Sequence, residues 1–401
     1  MIVIVGAGAA GLMAAIFASR GTRPVVLLER TSDGGRKILI SGGGRCNVLP
    51  SVLAPERFVT DSAAHLMRGM LRSWPLVQQR AFFERELQQP LALEEETGKL
   101  FPVSNRARDV RDGLIDHALR LKVSLRFDTA LTGLDPKDGR WLVQTSDGPL
   151  TAERVVLATG GLSVPSTGSD GAGLRLAQAL GHRVNDVYPA LTPLTADPPA
   201  HAALSGVSLH ARLRARCGRQ AAETTGGFLF THRGYSGPAV LDVSHVVVRS
   251  RSAGHVRAVV RAQWTTIDAA GWEAILTSAA GLVATAMSAH LPQRLTMQLL
   301  HEAGVPSDRR AAALRRAERI ALIEHLTSYV LPWTGDEGFK KAEVTGGGVA
   351  LEEVNPQTLE SRRHPGLFLC GEMLDAFGPI GGHNFAWAWA TGRLAGLGAA
   401  S

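Results

Sequence analysis

Ile2-Val3-Ile4-Val5-Gly6-Ala7-Gly8-Ala9-Ala10-Gly11 opens the chain, and how these ten residues are read decides the fold. The first four form an apolar run of the kind buried on both faces in a parallel strand. Residues 9–20 then carry helix formers. Between strand and helix lies G-x-G-x-x-G, and each position has a physical reason. Gly6 permits a tight turn, Gly8 lets backbone approach a diphosphate, and Gly11 lets helix and strand pack closely. The first helical amides, at Ala9 and Ala10, then face the phosphates. Residues 25–28 read as a second strand, closed by Glu29 and Arg30. A carboxylate at Glu29 can accept from the ribose hydroxyls of an adenosine half, and its charge disfavours a 2′-phosphate. A dinucleotide-binding βαβ unit within an α/β fold is therefore expected.

The same fingerprint serves NAD and FAD, so position must separate them. A protein holding both in separate domains should repeat the strand-GxGxxG-helix unit. The nearest repeat, at residues 168–173, follows a Pro-Ser-Thr loop and no strand. Ala158-Thr159-Gly160-Gly161 closes a buried run at residues 154–158, and Cys370-Gly371-Glu372 closes another at 366–370. Two such strand-ending turns favour a single FAD. Residues 31–50 form a long Gly-rich, basic loop, longer than a simple connection needs. Within it the glycines of Ser41-Gly42-Gly43-Gly44-Arg45-Cys46-Asn47 permit close approach to a ring, while Arg36, Lys37 and Arg45 bring positive charge. That charge suits either a reduced, anionic flavin or a substrate phosphate. Cys46 has two readings: proton donor to a substrate double bond, or a buried structural cysteine. Gly381-Gly382-His383-Asn384 precedes a closing helix at residues 384–397, whose amino end is expected to face the flavin. His383 is either a proton shuttle or a satisfied loop histidine.

Composition narrows the class. At 401 residues, 45 % hydrophobic and 20 % charged, the chain is globular and too long for one small core. Its three cysteines are far apart and form no CxxC. Neither a disulfide framework, nor a metal site, nor a dithiol relay is signalled, and a cytoplasmic location is expected. The apolar amino terminus lacks the basic start of a signal peptide, and no membrane association is expected. Net charge is +7, concentrated in one region: residues 200–320 hold fifteen Arg, no Lys and seven carboxylates. An Arg excess of eight in one third of the chain suits a phosphate-rich partner, although solvated Arg faces are also common.

Domain boundaries follow from composition shifts. Residues 1–189 read as the first part of the FAD-binding domain and residues 340–401 as its second part. Pro189, Pro193, Pro198 and Pro199 mark the exit. Residues 190–265 read as an inserted β domain, alternating in β fashion over 204–262, and residues 266–339 as an inserted helical region.

Gly35-Arg36-Lys37-Ile38-Leu39-Ile40-Ser41-Gly42-Gly43-Gly44-Arg45-Cys46-Asn47, Thr159-Gly160-Gly161 and Gly371-Glu372-Met373-Leu374-Asp375 together resemble the BaiN/RdsA (YhiN-like) family of FAD-dependent oxidoreductases. Phe228 to Thr231 and Gly234-Tyr235-Ser236-Gly237-Pro238-Ala239 also look like that family's insert signature. The resemblance spans nearly the whole chain. It implies a glutathione-reductase-type FAD-binding Rossmann domain with an inserted β-barrel-like plus helical domain. It further implies hydride transfer from reduced flavin to a carbon-carbon double bond, either of uracil in ribosomal RNA or of a steroid-like small molecule. NAD(P)H is the expected transient reductant, and an RNA-binding flavoprotein with non-catalytic FAD is the remaining alternative. The chain departs from the family's Pro-Thr-Gly-Gly-Tyr-Asn loop at Pro379-Ile380-Gly381-Gly382-His383-Asn384, where its substrate contacts are expected to differ.

Overall fold

The computed structural model describes residues 1–251 and 256–401. The chain divides into two compact units, Met1–Tyr188 with Glu343–Ser401, and Pro189–Ala342. At the centre of the first is a parallel sheet in the order Leu367–Leu369, Arg154–Leu157, Ile2–Val5, Val25–Leu28, Ser124–Arg126. Ile2 lies opposite Val25 on one side and Arg154 on the other, so the opening strand is central. Its residues and those of Val25–Leu28 are buried throughout, as continuous apolar runs require when both sheet faces are covered.

The opening helix, Ala9–Ala18, is buried from Ala10 to Ala18 because the closing helix, His383–Ala400, packs on it. Contact is backbone to backbone. A Cβ on Gly392 would lie 2.4 Å from the Ala10 carbonyl oxygen, and one on Gly396 would lie 2.4 Å from that of Ala14. An antiparallel sheet of Leu131–Lys137, Arg140–Thr145 and Leu150–Ala152 turns at Asp138-Gly139 and Asp147-Gly148. A second joins Leu49–Pro50, Lys99–Pro102 and Leu91–Glu94. The hairpin of residues 91–102 was not foreseen. The segment 31–50 is less of a loop than its composition suggests, since it holds the short helix Arg36–Ile40 and the strand Leu49–Pro50.

In the second unit the hydrogen-bonded ladder runs Tyr329–Val330, Val259–Gln263, Ser208–Cys217, Gln220–Phe230, Gly234–Ser236, Leu194–Thr195, Gly335–Asp336. The expectation of unbroken β alternation over 204–262 is corrected by the helix Pro238–Arg249. Its valines suggest strand. Spaced as Val240, Val243 and Val247, they instead form one buried helical face, and Pro238 pre-sets the first turn. Residues 252–255 of that stretch lie outside the described residues. Helices Ala269–Ser278, Val283–Ser288, Gln293–Glu302 and Arg316–Thr327 follow. Among the described residues no helix is long and apolar enough to cross a membrane.

Candidate active site

A cavity of about 920 Å³ opens at the carboxyl ends of the central strands, lined there by Val5, Leu28 and Ala158. Ligands of open parallel sheets bind in this position. The volume lies near the top of the ordinary range for small-molecule sites, about 300–1,000 Å³.

The glycines of the opening motif behave as their chemistry requires. Gly8 is the N-cap residue, and a Cβ built on it would meet nothing within 4 Å, so the space before the helix is free. No side chain caps this helix and its first turn holds no acid, which leaves its amides to a ligand. A Cβ on Gly11 would fall 1.7 Å from the Gly6 carbonyl oxygen, so only glycine fits. Glu29 sits at the cavity wall with its carboxylate fixed: it accepts from the Ala7 amide at 2.8 Å and from the Thr31 amide and hydroxyl at 2.9 and 2.8 Å. Arg30 also lines the wall, paired with Asp170, whose carboxylate accepts from the Ala172 amide at 3.0 Å.

Further along the cavity, four segments separated in sequence are tied together. Lys37 Nζ donates to Glu372 Oε2 and to Ser163 Oγ, both at 2.6 Å. Glu372 Oε1 accepts from the Thr345 amide at 3.0 Å and from its hydroxyl at 2.9 Å. Thr345 Oγ1 in turn accepts from the Leu162 and Ser163 amides at 2.7 and 3.1 Å. A Cβ on Gly161 would lie 2.2 Å from that oxygen, so Gly161 is clamped there and does not itself line the cavity. Thr159, Gly160 and Glu372 do line it, and Gly371 packs against Ala10. Ser163 and Thr345 belong to no motif, and only tertiary structure shows their role. The same holds for Lys99, Phe101 and residues 129–133 on the cavity wall.

Of the basic loop, Ser41, Gly42, Gly43, Arg45 and Asn47 line the cavity, whereas Gly44 and Cys46 do not. The excess positive charge expected there is largely cancelled: Arg36 pairs with Asp33 at 2.6 Å, Lys37 with Glu372, and Arg45 with Glu94 at 3.0 Å. Arg45 also lies 4.0 Å over the Phe101 ring. Lys99 lines the wall and forms no ion pair among the described residues.

The two candidate proton carriers need correction. Cys46 is fully buried, and burial pushes its thiol up to about 12. Its left-handed backbone, φ 62°, belongs to the tight ring closed by its amide on the Ser41 carbonyl at 3.1 Å. His383 is also buried off the cavity wall, against Phe58, and burial together with Arg57 lowers it to about 4. Gly381, Gly382 and Asn384 do reach the wall. Asn384 does not cap its helix. Its amide instead closes the preceding loop, accepting from the Gly378 amide at 2.8 Å and donating to the Gly378 carbonyl at 2.9 Å.

This fold and this cavity define an FAD-dependent oxidoreductase with a glutathione-reductase-type Rossmann core. A free helix terminus beyond Gly8, a fixed carboxylate at Glu29 and a cavity of dinucleotide size all fit that cofactor. The chain belongs to the HI0933-like family, whose model, the HI0933-like protein Rossmann domain, matches residues 1–398. It is 31 % identical over 393 residues to the ribosomal RNA dihydrouridine synthase of Escherichia coli (strain K12), covering 97 % of this chain and 95 % of that protein. It is 32 % identical over 413 residues to the 3-dehydro-bile acid delta(4,6)-reductase of Clostridium scindens, covering 99 % and 98 %. Among solved structures, it resembles the 3-ketosteroid-delta4-(5alpha)-dehydrogenase of Rhodococcus jostii RHA1 in fold. There the TM-score is 0.50 at 16 % identity, over 100 % of this chain and 96 % of that one.

Proposed function

We propose that this enzyme reduces the carbon-carbon double bond of a uracil in RNA, giving dihydrouridine, and that residues 190–339 act as an RNA-engaging domain. One observation carries the reading. On the ladder strand Ser208–Cys217, Arg212, Arg214 and Arg216 alternate with buried Leu213 and Ala215, so all three point to the exposed face. Arg261 lies opposite Arg214 on the neighbouring strand and is exposed too. Glu223 pairs with both Arg212 and Arg214, leaving four guanidiniums against one carboxylate. Alternate strand residues stand about 7 Å apart, and each guanidinium offers phosphate two parallel hydrogen bonds. A steroid-sized substrate has no use for such a face. The likeness to the E. coli protein supports the same reading.

When bound and reduced, FAD would supply a hydride to one carbon of the double bond, water entering the cavity would supply the proton to the other, and NAD(P)H is read as the transient reductant that restores the flavin. The chain's own residues bind and orient. In this reading Gly6, Gly8, Ala9 and Ala10 receive the diphosphate, with Gly11 keeping the helix close. Glu29 and Arg30 hold the adenosine end. Lys37, Ser41, Gly42, Gly43, Arg45 and Asn47 enclose the ring, with Gly381, Gly382 and Asn384 opposite. Thr159, Gly160 and Glu372 form the wall between the two ends. The clamp of Lys37, Glu372 and Thr345 fixes that wall before any ligand arrives, so little ordering is left to binding.

The test is direct. FAD-loaded protein is reduced anaerobically with NADPH or NADH, and unmodified ribosomal RNA is added. Reoxidation of the flavin, with the mass of two hydrogens gained at one uridine, is the expected result. Reoxidation by a steroid-type enone and not by RNA would move the assignment to the small-molecule reading, which the likeness to the C. scindens protein favours.

A further inference from the structure

Among the described residues six cationic side chains line the cavity, and five of them are already held. Arg30 pairs with Asp170, Arg36 with Asp33, Lys37 with Glu372 and Arg45 with Glu94, while Arg175 donates to the Asp170 carbonyl. Lys99 is the exception: its ammonium makes no ion pair and no hydrogen bond among the described residues. The carboxylate facing it across the hairpin, Glu94, gives one oxygen to Arg45 at 3.0 Å and the other to the Thr97 hydroxyl at 2.5 Å.

Strand geometry puts this lysine on the wall. Side chains alternate along Lys99–Pro102, so Lys99 and Phe101 face the cavity while Leu100 enters the core. The end of the lysine chain then runs along Gly381: a Cβ built on that glycine would have Lys99 Cε as its nearest neighbour, at 3.6 Å. Gly381 also lines the cavity, beside the amino end of the closing helix. A half-buried ammonium without a counter-charge keeps its field for whatever enters there.

Reduction of a double bond conjugated with a carbonyl needs such a group. The hydride enters at the carbon β to the carbonyl, the displaced electron pair comes to rest on the carbonyl oxygen, and water protonates the α carbon. Cys46 and His383 lie off the cavity wall and cannot meet that oxygen. We infer that Lys99 is a catalytic residue whose ammonium donates a hydrogen bond to the substrate carbonyl oxygen. It holds the negative charge that appears there and keeps its own protons throughout. Uracil and a steroid-type enone share this carbonyl, so the inference rests on the double-bond reading and not on the choice between the two.

For the test, FAD-loaded wild type, Lys99→Met and Lys99→Arg are reduced anaerobically and mixed with unmodified ribosomal RNA or with a steroid-type enone. Whichever compound reoxidises wild type should reoxidise Lys99→Met roughly a hundredfold more slowly, with Lys99→Arg in between and flavin occupancy the same in all three. If Lys99→Met loads no FAD, Lys99→Gln takes its place. Binding without turnover gives a second readout, by equilibrium dialysis of the oxidised proteins at pH 8. Wild type should hold p-nitrophenolate, a planar enolate mimic, roughly tenfold more tightly than the neutral p-nitroanisole, and Lys99→Met should lose that preference. A cation serving the flavin instead would, once removed, lower the midpoint potential and make the flavin a better donor. Equal or faster reoxidation of Lys99→Met would therefore overturn the inference, as would equal preference in both proteins. A wild-type flavin that neither compound reoxidises would overturn the double-bond reading itself.

Discussion

Cys46 and His383 show how a side chain of the right chemistry can be placed out of reach of the chemistry. A thiol pushed up to about 12 by burial stays protonated and unreactive at neutral pH. Cys370 is likewise buried and raised, whereas Cys217 is half-exposed. A thiol reagent at pH 8 should therefore titrate one fast group in the native protein, and Cys217→Ser should abolish it. Fast labelling of Cys46 would return that thiol to the cavity. His383 makes a prediction about acid. Its folded value of about 4 lies below the unfolded 6.5, so the unfolded chain binds the extra proton between those values. The stability tied to neutral His383 is complete above pH 6.5 and is lost as pH falls toward 4, up to about 3 kcal/mol. Melting temperatures at pH 7.5 and 4.5 should show His383→Gln losing less on acidification than wild type.

Elements are held together here by contacts that the motif alone does not announce. Gly392 and Gly396 recur one helical turn apart and let the closing helix touch the opening one at the carbonyls of Ala10 and Ala14. Gly396→Val would drive a branched side chain into backbone that cannot give way. A loss of at least about 1–3 kcal/mol is expected, seen as a lower melting temperature and reduced flavin occupancy. The Lys37 and Glu372 pair can be tested as a cycle. Lys37→Met should cost about 1–3 kcal/mol by stranding a half-buried carboxylate, and adding Glu372→Gln should recover part of it. Strict additivity would mean that the clamp is not coupled. These ties explain why the GxGxxG turn could be read from ten residues while Ser163 and Thr345 could not. The turn is closed by local sequence, whereas the clamp joins residues more than 180 positions apart.

For the molecule as a whole, charge must be counted by where it points. Several of the insert's fifteen arginines are internal ties: Arg309 pairs with Glu318, Arg319 with Glu273, and Arg294 donates to the carbonyls of Ala203 and Ser205. The exposed ladder face keeps Arg212, Arg214, Arg216 and Arg261. Replacing these four by Gln should weaken RNA binding and reduce the slope of log K against log salt by roughly 3, with the bound flavin's spectrum unchanged. An unchanged slope would remove this face from RNA binding.

The sequence by itself determined the FAD-type Rossmann opening and named the greater part of the candidate residues that the structure gathers at the cavity. Those features rest on periodicity and on glycines whose spacing has a local cause. Tertiary structure alone decided that Cys46 and His383 face away, that Arg36, Lys37 and Arg45 are neutralised by partners, and that Asn47 keeps an unpaired oxygen. Each of those depends on which distant segment folds against the loop, and residue spacing carries no record of that.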